Sequence, residues 1–253
     1  MFIPKWNRST GGYLKMKHLD KICGSFLSAW NMMVDIPLPW AEKFDVQESS
    51  SFDTAVMIPV AGAVPGVILA ALGILLNVNI PCSAIWAFAA VIIMEMVNSG
   101  RSGKMVAEKI AEFIFKESAG SFVNSMVTFV ILFKLAAFFA IANGENTGFI
   151  LLFFVLVFSL EMYCATFGEE NSIIKVEAGE RWKLYLIPGA IAFLWFWSYP
   201  LATLVSLAVT AGTALFFRKK VWSEDYVVNG NDVTFASGCA EVLLLLCSMI
   251  ILG

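Results

Sequence analysis

The feature that most constrains this chain is the distribution of its lysines and arginines among its apolar stretches. Seven apolar runs approach the length that is needed to cross the hydrocarbon core of a bilayer; they lie at about 56–76, 82–97, 122–142, 148–167, 184–198, 201–217 and 239–252. Of the 17 Lys and Arg residues, all but one lie in the N-terminal segment or in every second connection. The connections around 77–81, 143–147 and 199–200 contain none. This is the distribution that the positive-inside rule describes.

The composition also favours a membrane protein. Hydrophobic residues make up 59% and charged residues 15% of the 253 residues, and the mean hydropathy is +0.78. These values lie outside the usual range of soluble domains. We therefore predict an all-α integral membrane protein with about seven transmembrane helices, a cytoplasmic N-terminus and a C-terminus outside. The lipid bilayer is the expected partner, and the net charge of −3 excludes a generally basic nucleic-acid-binding protein.

Two segments are predicted to be helices that do not cross the membrane. Residues 21–40 are too polar to span and end in two prolines, which favours an interfacial or re-entrant helix after a polar extension at 1–20. Residues 104–116 have an apolar face and a charged face at helical spacing, which is typical of an amphipathic helix along the cytoplasmic surface. Residues 21–253 are thus predicted to form a single membrane-embedded helical domain.

The first predicted span contains two prolines and two glycines within a short distance: Pro59, Gly62, Pro65 and Gly66. Proline removes a backbone hydrogen bond, and neighbouring protein or water must satisfy the carbonyl that is left. The pattern therefore predicts a broken or kinked helix. We expect this helix to line a cavity.

Four ionisable groups lie within or at the ends of the predicted spans: Glu95, Lys134, Glu161 and Glu241. A charge at membrane depth costs about 2.5–3.5 kcal/mol on insertion scales, so such groups usually face a polar interior. The three glutamates fall near the cytoplasmic ends of their predicted helices. A shared pocket that is open to the cytoplasm would accommodate all four groups. The alternative is that each carboxylate reaches the membrane interface separately.

A turn with two cations, N-S-G-R-S-G-K at 98–104, follows the second predicted span. It lacks the first Gly and the final Ser or Thr of a phosphate-binding P-loop. A turn that opens a helix still offers free backbone N–H groups, so Ser99, Gly100, Arg101 and Lys104 are candidates for an anion site. The alternative is a basic turn that only sets the topology.

A second candidate site lies at the start of the last span. Asp232 follows a turn-rich stretch, and Glu241 lies further along the same predicted helix. Two carboxylates around a phosphate-bearing substrate are a common way to hold Mg²⁺, which makes both residues candidate metal ligands. The alternative is a helix-capping Asp and an isolated interfacial Glu.

Several short segments resemble motifs of the cobalamin synthase family, the integral-membrane adenosylcobinamide-GDP ribazoletransferases. They are similar to the family patterns R-L-P-x-P, F-P-x-x-G-x-x-x-G, K-D-S-x-x-G-T, F-x-x-L-x-K and G-D-x-x-G-A-x-x-E. The matching segments are Met33–Pro39, Met57–Gly62 with Gly66, Lys116–Ser121, Phe129–Lys134, and Asn231–Val233 with Ala236 and Glu241. The Asp-rich run that follows the second span in the family is absent, and residues 98–104 stand in its place.

The resemblance implies a transferase of the last steps of cobalamin biosynthesis, located in a bacterial or archaeal cytoplasmic membrane. Such an enzyme joins α-ribazole, or its phosphate, to adenosylcobinamide-GDP and releases GMP, with Mg²⁺ as the cofactor. The resemblance and the charge pattern together assign three roles to residues of this chain. These are catalysis by Asp232, Lys134 and Glu117, phosphate binding by Arg101, Lys104, Ser99, Gly100 and Ser118, and metal binding by Asp232, Glu241 and Glu95.

Two other functions are compatible with the same sequence. One is a relative that has lost the reaction and binds a corrinoid, a nucleotide or a partner protein, since the Asp-rich run that supplies carboxylates in the family is missing. The other is a small membrane transporter subunit, which the prolines of the first span and the charges within the membrane would suit. The sequence leaves the oligomeric state open.

Overall fold

The computed structural model describes residues 10–34, 36–38, 50–79, 83–98, 100–115, 120–167, 172–221 and 228–253. Within these ranges the chain forms helices and no strand, which confirms the prediction of an all-α protein. The helices are α1 (Thr10–Met33), α2 (Ser51–Asn79), α3 (Ser83–Val97), α4 (Arg101–Phe115), α5 (Gly120–Asn143), α6 (Phe149–Thr166), α7 (Leu186–Ser198), α8 (Pro200–Val221) and α9 (Gly230–Leu252). A 3-10 helix, Ala178–Tyr185, leads into α7.

Five of the described helices contain segments long and apolar enough to cross a membrane: α2, α5, α6, α8 and α9. Helices α3 and α4 meet at a bend of 78° and would together count as a sixth span. The apolar runs at 82–97 and 184–198, which are two of the predicted seven, form helices of only 15 and 13 residues. The described architecture is therefore a helical bundle with five or six membrane-spanning candidates.

Helix α1 forms where the sequence predicts a non-spanning helix, but it begins earlier. It starts at Thr10 rather than near Lys21, so it includes the second half of the segment that we predicted to be a polar extension. It packs against α2, and its buried Ala29 and Trp30 belong to the same core as Ala55 and Ile58 of α2. The indole N–H of Trp30 donates to the carbonyl of Ile36 over 2.6 Å, which folds the chain back after the helix. Packing against α2 thus explains why this rather polar segment is helical.

Of the prediction of a broken or kinked first span, helix α2 contradicts the break, and a kink stays a prediction. It is one continuous α-helix through Pro59 and Pro65. Gly62 and Gly66 serve packing against α6 instead, because a Cβ at Gly62 would overlap the ring of Phe158 and a Cβ at Gly66 would lie 2.9 Å from the backbone of α6. Small residues let two membrane helices approach closely. The described lining of the cavity reported below includes no residue of α2.

One end of the bundle joins the ends of α5, α6, α7 and α9, and we call it the hairpin end. The side-chain amide of Asn146, in the connection between α5 and α6, donates to the carbonyl of Leu252 over 2.8 Å. The indole N–H of Trp195, near the end of α7, donates to the carbonyl of Gly148 over 3.1 Å. The connection at 143–148 contains no Lys or Arg. The hairpin end therefore contains connections that the charge pattern assigns to the outside.

The opposite end contains the α3–α4 turn, the end of α6 and the start of α9, and we call it the basic end. The backbone N–H of Ile174 donates to the carbonyl of Ala165 over 2.8 Å, which folds the segment after α6 onto its last turn. The guanidinium of Arg218, near the end of α8, lies 5.9 Å from the ring centre of Phe167. Cations of α4 and α8 thus lie at the same end of the bundle.

Candidate functional site

A buried ion cluster joins three helices towards the basic end. The ammonium of Lys134, on α5, lies 2.7 Å from Oε1 of Glu95 on α3 and 3.0 Å from Oε2 of Glu241 on α9. The side chains of Lys134 and Glu241 are each 1% exposed. A charge that is removed from water must be paired and hydrogen-bonded to be tolerated. The ion cluster therefore fixes the relative positions of α3, α5 and α9.

Two polar side chains near the α3–α4 turn complete the surroundings of Glu241. The amide of Asn98 donates to Oε1 of Glu241 over 2.6 Å, and the hydroxyl of Ser102 donates to Oε2 over 2.9 Å. Each oxygen of this carboxylate thus has a partner. The predicted pocket of ionisable groups therefore forms for Glu95, Lys134 and Glu241, but protein encloses Lys134 and Glu241 instead of leaving them open to the cytoplasm.

Two glycines allow Ser102 to reach Glu241. Gly100 has a φ of +67°, a backbone conformation that residues other than glycine rarely adopt. Its N–H donates to the carbonyl of Glu95 over 2.9 Å. After this turn α4 crosses α9, and a Cβ at Gly238 would lie 2.8 Å from the carbonyl oxygen of Ser102. Gly100 thus sets the direction of α4, and Gly238 permits its close contact with α9.

A cavity of about 480 Å³ lies at the basic end, and we call it the polar cavity. Its volume falls within the usual range of small-molecule sites. Its mouth is formed by exposed residues of α4 and of the start of α9, among them Arg101, Lys104 and Asn231. Its inner wall is buried and includes Glu161 of α6 and Ser237 of α9.

Asn98 and Ser102 connect the ion cluster with the polar cavity. Both line the cavity, and both donate a hydrogen bond to Glu241. Lys134 is not among the described lining residues. Its charge therefore acts on the cavity through Glu241 and these two donors, which makes Lys134 a positioning residue in this geometry. The catalytic role that the resemblance assigns to Lys134 stays a prediction.

Glu161 is the ionisable group of the inner wall, and it stands apart from the ion cluster. Glu161 is only 6% exposed, and its Oε2 has no hydrogen-bond partner among the described residues. The hydroxyl of Ser237 lies beside the carboxyl group and donates to the carbonyl of Thr234 over 3.2 Å. A buried acceptor without a partner is costly, so this oxygen is an unfilled position in the cavity wall.

The start of α9 is closed by a capping box. The side chain of Asn229 accepts from the N–H of Asp232, and the carboxylate of Asp232 accepts from the N–H of Asn229, each over 3.1 Å. Asp232 lies nine positions before Glu241, or about 13 Å along the helix at the usual rise per residue. The two carboxylates therefore cannot bind one ion from this helix.

The described carboxylates do not form a ligand set for Mg²⁺. Glu95 and Glu241 both face Lys134, and Asp232 takes part in the capping box. Within the ranges that the structure describes, no group of three His, Cys, Asp or Glu side chains is arranged to hold a metal. Of the predicted ligands, Asp232 thus lies apart from Glu241 and Glu95, which share the ammonium of Lys134.

The predicted phosphate-binding residues are partly gathered at the mouth of the polar cavity. Arg101 and Lys104 line it, and Lys104 also lies 3.8 Å from Glu108 on the next turn of α4. Gly100 forms the turn before them. Ser99, and the predicted residues Glu117 and Ser118, lie outside the described part of the chain.

The separate position of Glu161 was not foreseen from the sequence. A signal for this site was nevertheless present, because Thr234, Ser237 and Glu241 follow one another at helical spacing on one face of α9. Such a polar stripe on an apolar helix predicts a polar neighbour. Which helix supplies that neighbour depends on the packing of α6 against α9, which the spacing does not specify.

Comparisons of this chain with protein-family models, with curated proteins and with solved structures give no match. The resemblance to cobalamin synthases therefore remains a prediction from short segments.

Proposed function

We propose that the polar cavity binds a phosphate-bearing substrate at the cytoplasmic face of a membrane. The observation that carries this proposal is the meeting of Arg101 and Lys104 with the first turn of α9 at the mouth of the cavity. The capping box engages the N–H of Asp232, while the N–H groups of Gly230 and Asn231 precede the first intrahelical bonds and can face an anion. Cationic side chains and helix N-termini together favour phosphate.

A cytoplasmic cavity requires the topology that the charge pattern predicts, with seven spans and the C-terminus outside. The short helix α7 must then cross the membrane. Two contacts support a crossing. The N–H of Ile174 donates to the carbonyl of Ala165 near the end of α6, and the indole N–H of Trp195 donates to the carbonyl of Gly148 just before its start. The segment from Ile174 to Trp195 thus begins beside the end of α6 and reaches the residue before its start.

The basic residues of α8 favour the same topology. If α7 did not cross, Arg218 and Lys219 would lie outside, against the positive-inside rule. With α7 crossing, they lie on the cytoplasmic side with Arg101 and Lys104. A reporter fused after Gly253 is then expected to be active only outside, and cytoplasmic activity would contradict the seven-span topology.

The reaction that we propose is the ribazoletransferase reaction of the family that the sequence resembles. A free ribose hydroxyl of α-ribazole, or of its phosphate, attacks the phosphorus on the cobinamide side of the diphosphate in adenosylcobinamide-GDP and loses its proton. The bond from that phosphorus to the bridging oxygen breaks, and GMP leaves with this oxygen. Such a transfer depends mainly on positioning and on neutralising the phosphate charge. In this chain Arg101 and Lys104 would neutralise that charge, because the described carboxylates do not fit a Mg²⁺ site.

A second candidate is a relative that binds the nucleotide-linked corrinoid without turning it over. The absence of a three-carboxylate group from the described residues favours this candidate. It shares the phosphate site with the first candidate and differs only in the reaction. One experiment can therefore examine both.

The experiment is GMP release and ligand binding by the purified protein in lipid, with adenosylcobinamide-GDP and α-ribazole, in the presence of Mg²⁺ or of EDTA. The double variant Arg101→Gln/Lys104→Gln is expected to lose about tenfold or more in affinity, because hydrogen bonds to charged groups are the strong ones. The matched control is Lys109→Gln, a cation of the same helix that pairs with Glu112 and does not line the cavity.

The outcomes separate the candidates. GMP release that the double variant loses and the control keeps supports the transferase. Binding without release, again lost in the double variant, supports the non-catalytic relative. Equal binding by the wild type and the double variant would contradict a phosphate site at the mouth of the cavity.

A further inference from the structure

The inner end of the polar cavity carries more negative than positive charge. Lys134 is the cation of the ion cluster, and it is shared by Glu95 and Glu241. Glu161 adds a third carboxyl group, whose Oε2 has no hydrogen-bond partner among the described residues. Because Glu95 and Glu241 already share Lys134, Glu161 needs a proton or a cation of its own to be tolerated in this buried position.

Within the described ranges of the chain, no cation forms an ion pair with Glu161. Its neighbours on α6 are the buried, apolar Leu160 and Met162. The hydroxyl of Ser159 donates to its own helix at the carbonyl of Val155. The direction that remains is the cavity, which Glu161 lines and towards which it offers an acceptor without a partner.

We propose that Glu161, with Ser237 beside it, binds an ammonium group of a ligand whose phosphate group is held at the mouth by Arg101 and Lys104. An ammonium group neutralises the carboxylate and donates the hydrogen bond that Oε2 lacks. This assignment rests on the phosphate site of the proposed function, but it does not require the transfer reaction.

The length of the ligand follows from helix α9. Its first turn, at Gly230, lies at the mouth, and Ser237 lies at the inner wall, seven residues further along the helix. At the rise of an α-helix this is a separation of about 10 Å. The ligand class is therefore a phosphorylated amine with its two charged ends separated by roughly this distance, and the cavity volume of about 480 Å³ is large enough for it.

The test compares the binding of aminohexyl phosphate and hexyl phosphate by isothermal titration to the detergent-purified protein. The two probes differ only in the terminal ammonium group. The wild type is expected to bind aminohexyl phosphate about tenfold more tightly, which is the usual effect of a hydrogen bond to a charged group. Glu161→Gln keeps the shape of the side chain and removes its charge, so this preference should fall to nearly one.

Two further arms make the result decisive. Arg101→Gln/Lys104→Gln should weaken the binding of both aminohexyl phosphate and hexyl phosphate and keep the preference for the probe with the ammonium group. Hexylamine tests the two sites separately. If the wild type binds hexylamine and Glu161→Gln does not, the ammonium site is supported. If the wild type at the same time does not bind hexyl phosphate, the phosphate site is refuted. The thermal unfolding of Glu161→Gln reports whether the variant is folded.

The proposal is overturned by either of two results. One is that the wild type binds the two phosphates equally, or binds none of the probes. The other is that Glu161→Gln, correctly folded, keeps the preference for aminohexyl phosphate. Equal binding of the two phosphates, or a preference that Glu161→Gln keeps, would mean that Glu161 does not bind the ammonium group. Binding of none of the probes would mean that the polar cavity is not a site for this ligand class.

Discussion

Glu241 and Glu161 are two carboxylates on apolar helices, and both are almost completely buried. Glu241 has a partner on each oxygen, from Lys134, Asn98 and Ser102. Glu161 has an oxygen with no described partner and lies in the wall of a cavity. The difference teaches that burial alone does not give the role of a membrane carboxylate. The partners decide whether it holds helices together or is left for a ligand.

The two regions also differ in how the removal of a charge should change the stability of the protein. Within the ion cluster, each charge depends on the others, so removing one leaves buried groups unpaired. In the polar cavity, removing the charge of Glu161 removes a group that already lacks a partner. The following variants test this contrast, in order of decreasing expected effect.

Lys134→Gln should have the largest effect on stability. It leaves Glu95 and Glu241 facing each other without a cation, which is expected to cost about 3–5 kcal/mol in the free energy of unfolding. The measurement is denaturant unfolding in detergent. The control is Lys109→Gln, whose exposed pair with Glu112 should contribute less than about 1 kcal/mol. Equal losses in the two variants would mean that the ion cluster is not closed.

Ser102→Ala should have the next largest effect. It removes a hydrogen bond of 2.9 Å to the buried carboxylate of Glu241, and bonds to charged groups contribute about 1.5–3 kcal/mol. The matched control is Ser125→Ala, because the exposed hydroxyl of Ser125 donates only within its own helix, to the carbonyl of Ser121. In the double variant with Lys134→Gln, the two losses should not add, since both act on Glu241.

Gly238→Ala tests the close contact between α4 and α9 that supports the ion cluster. The added methyl group would lie 2.8 Å from the backbone carbonyl of Ser102, so α4 must shift, at an expected cost of about 1–3 kcal/mol. Gly212→Ala is the control, because nothing lies within 4 Å of the same atom there. The control should be neutral or slightly stabilising, as alanine favours helices.

Asn229→Ala should have the smallest effect of the series. It removes half of the capping box at the start of α9, which typically costs about 1 kcal/mol. The control is Asn231→Ala at the neighbouring exposed position. Thermal unfolding of the two variants gives the comparison, and a loss as large as that of Lys134→Gln would show that the cavity mouth is coupled to the ion cluster.

The grouping of Lys134 with Glu95 and Glu241 could be predicted from the sequence, because charges within apolar helices must find one another. The amphipathic α4 could be predicted from its periodicity. The continuity of α2 could not be predicted, since prolines such as Pro59 and Pro65 usually interrupt a helix. In the structure Gly62 and Gly66 lie against α6 and do not mark a break.

The candidate site was predicted only in part. Arg101 and Lys104 are charged residues at a turn, and such residues are visible in a sequence. The separation of Glu161 from the ion cluster depends on how α6 packs against α9, and on the turn at Gly100 that brings Ser102 to Glu241. These are contacts between residues far apart in the chain, which periodicity and local propensity do not determine.

The most direct test of the contrast between the two regions is the thermal unfolding of Glu161→Gln beside that of Lys134→Gln, in the same detergent and without ligand. We predict that Glu161→Gln unfolds at the temperature of the wild type or above it, because it replaces a buried carboxyl group whose Oε2 has no partner among the residues that the structure describes. Lys134→Gln should unfold at a clearly lower temperature. A loss in Glu161→Gln as large as that in Lys134→Gln would contradict the account, because it would make Glu161 a structural member of the ion cluster.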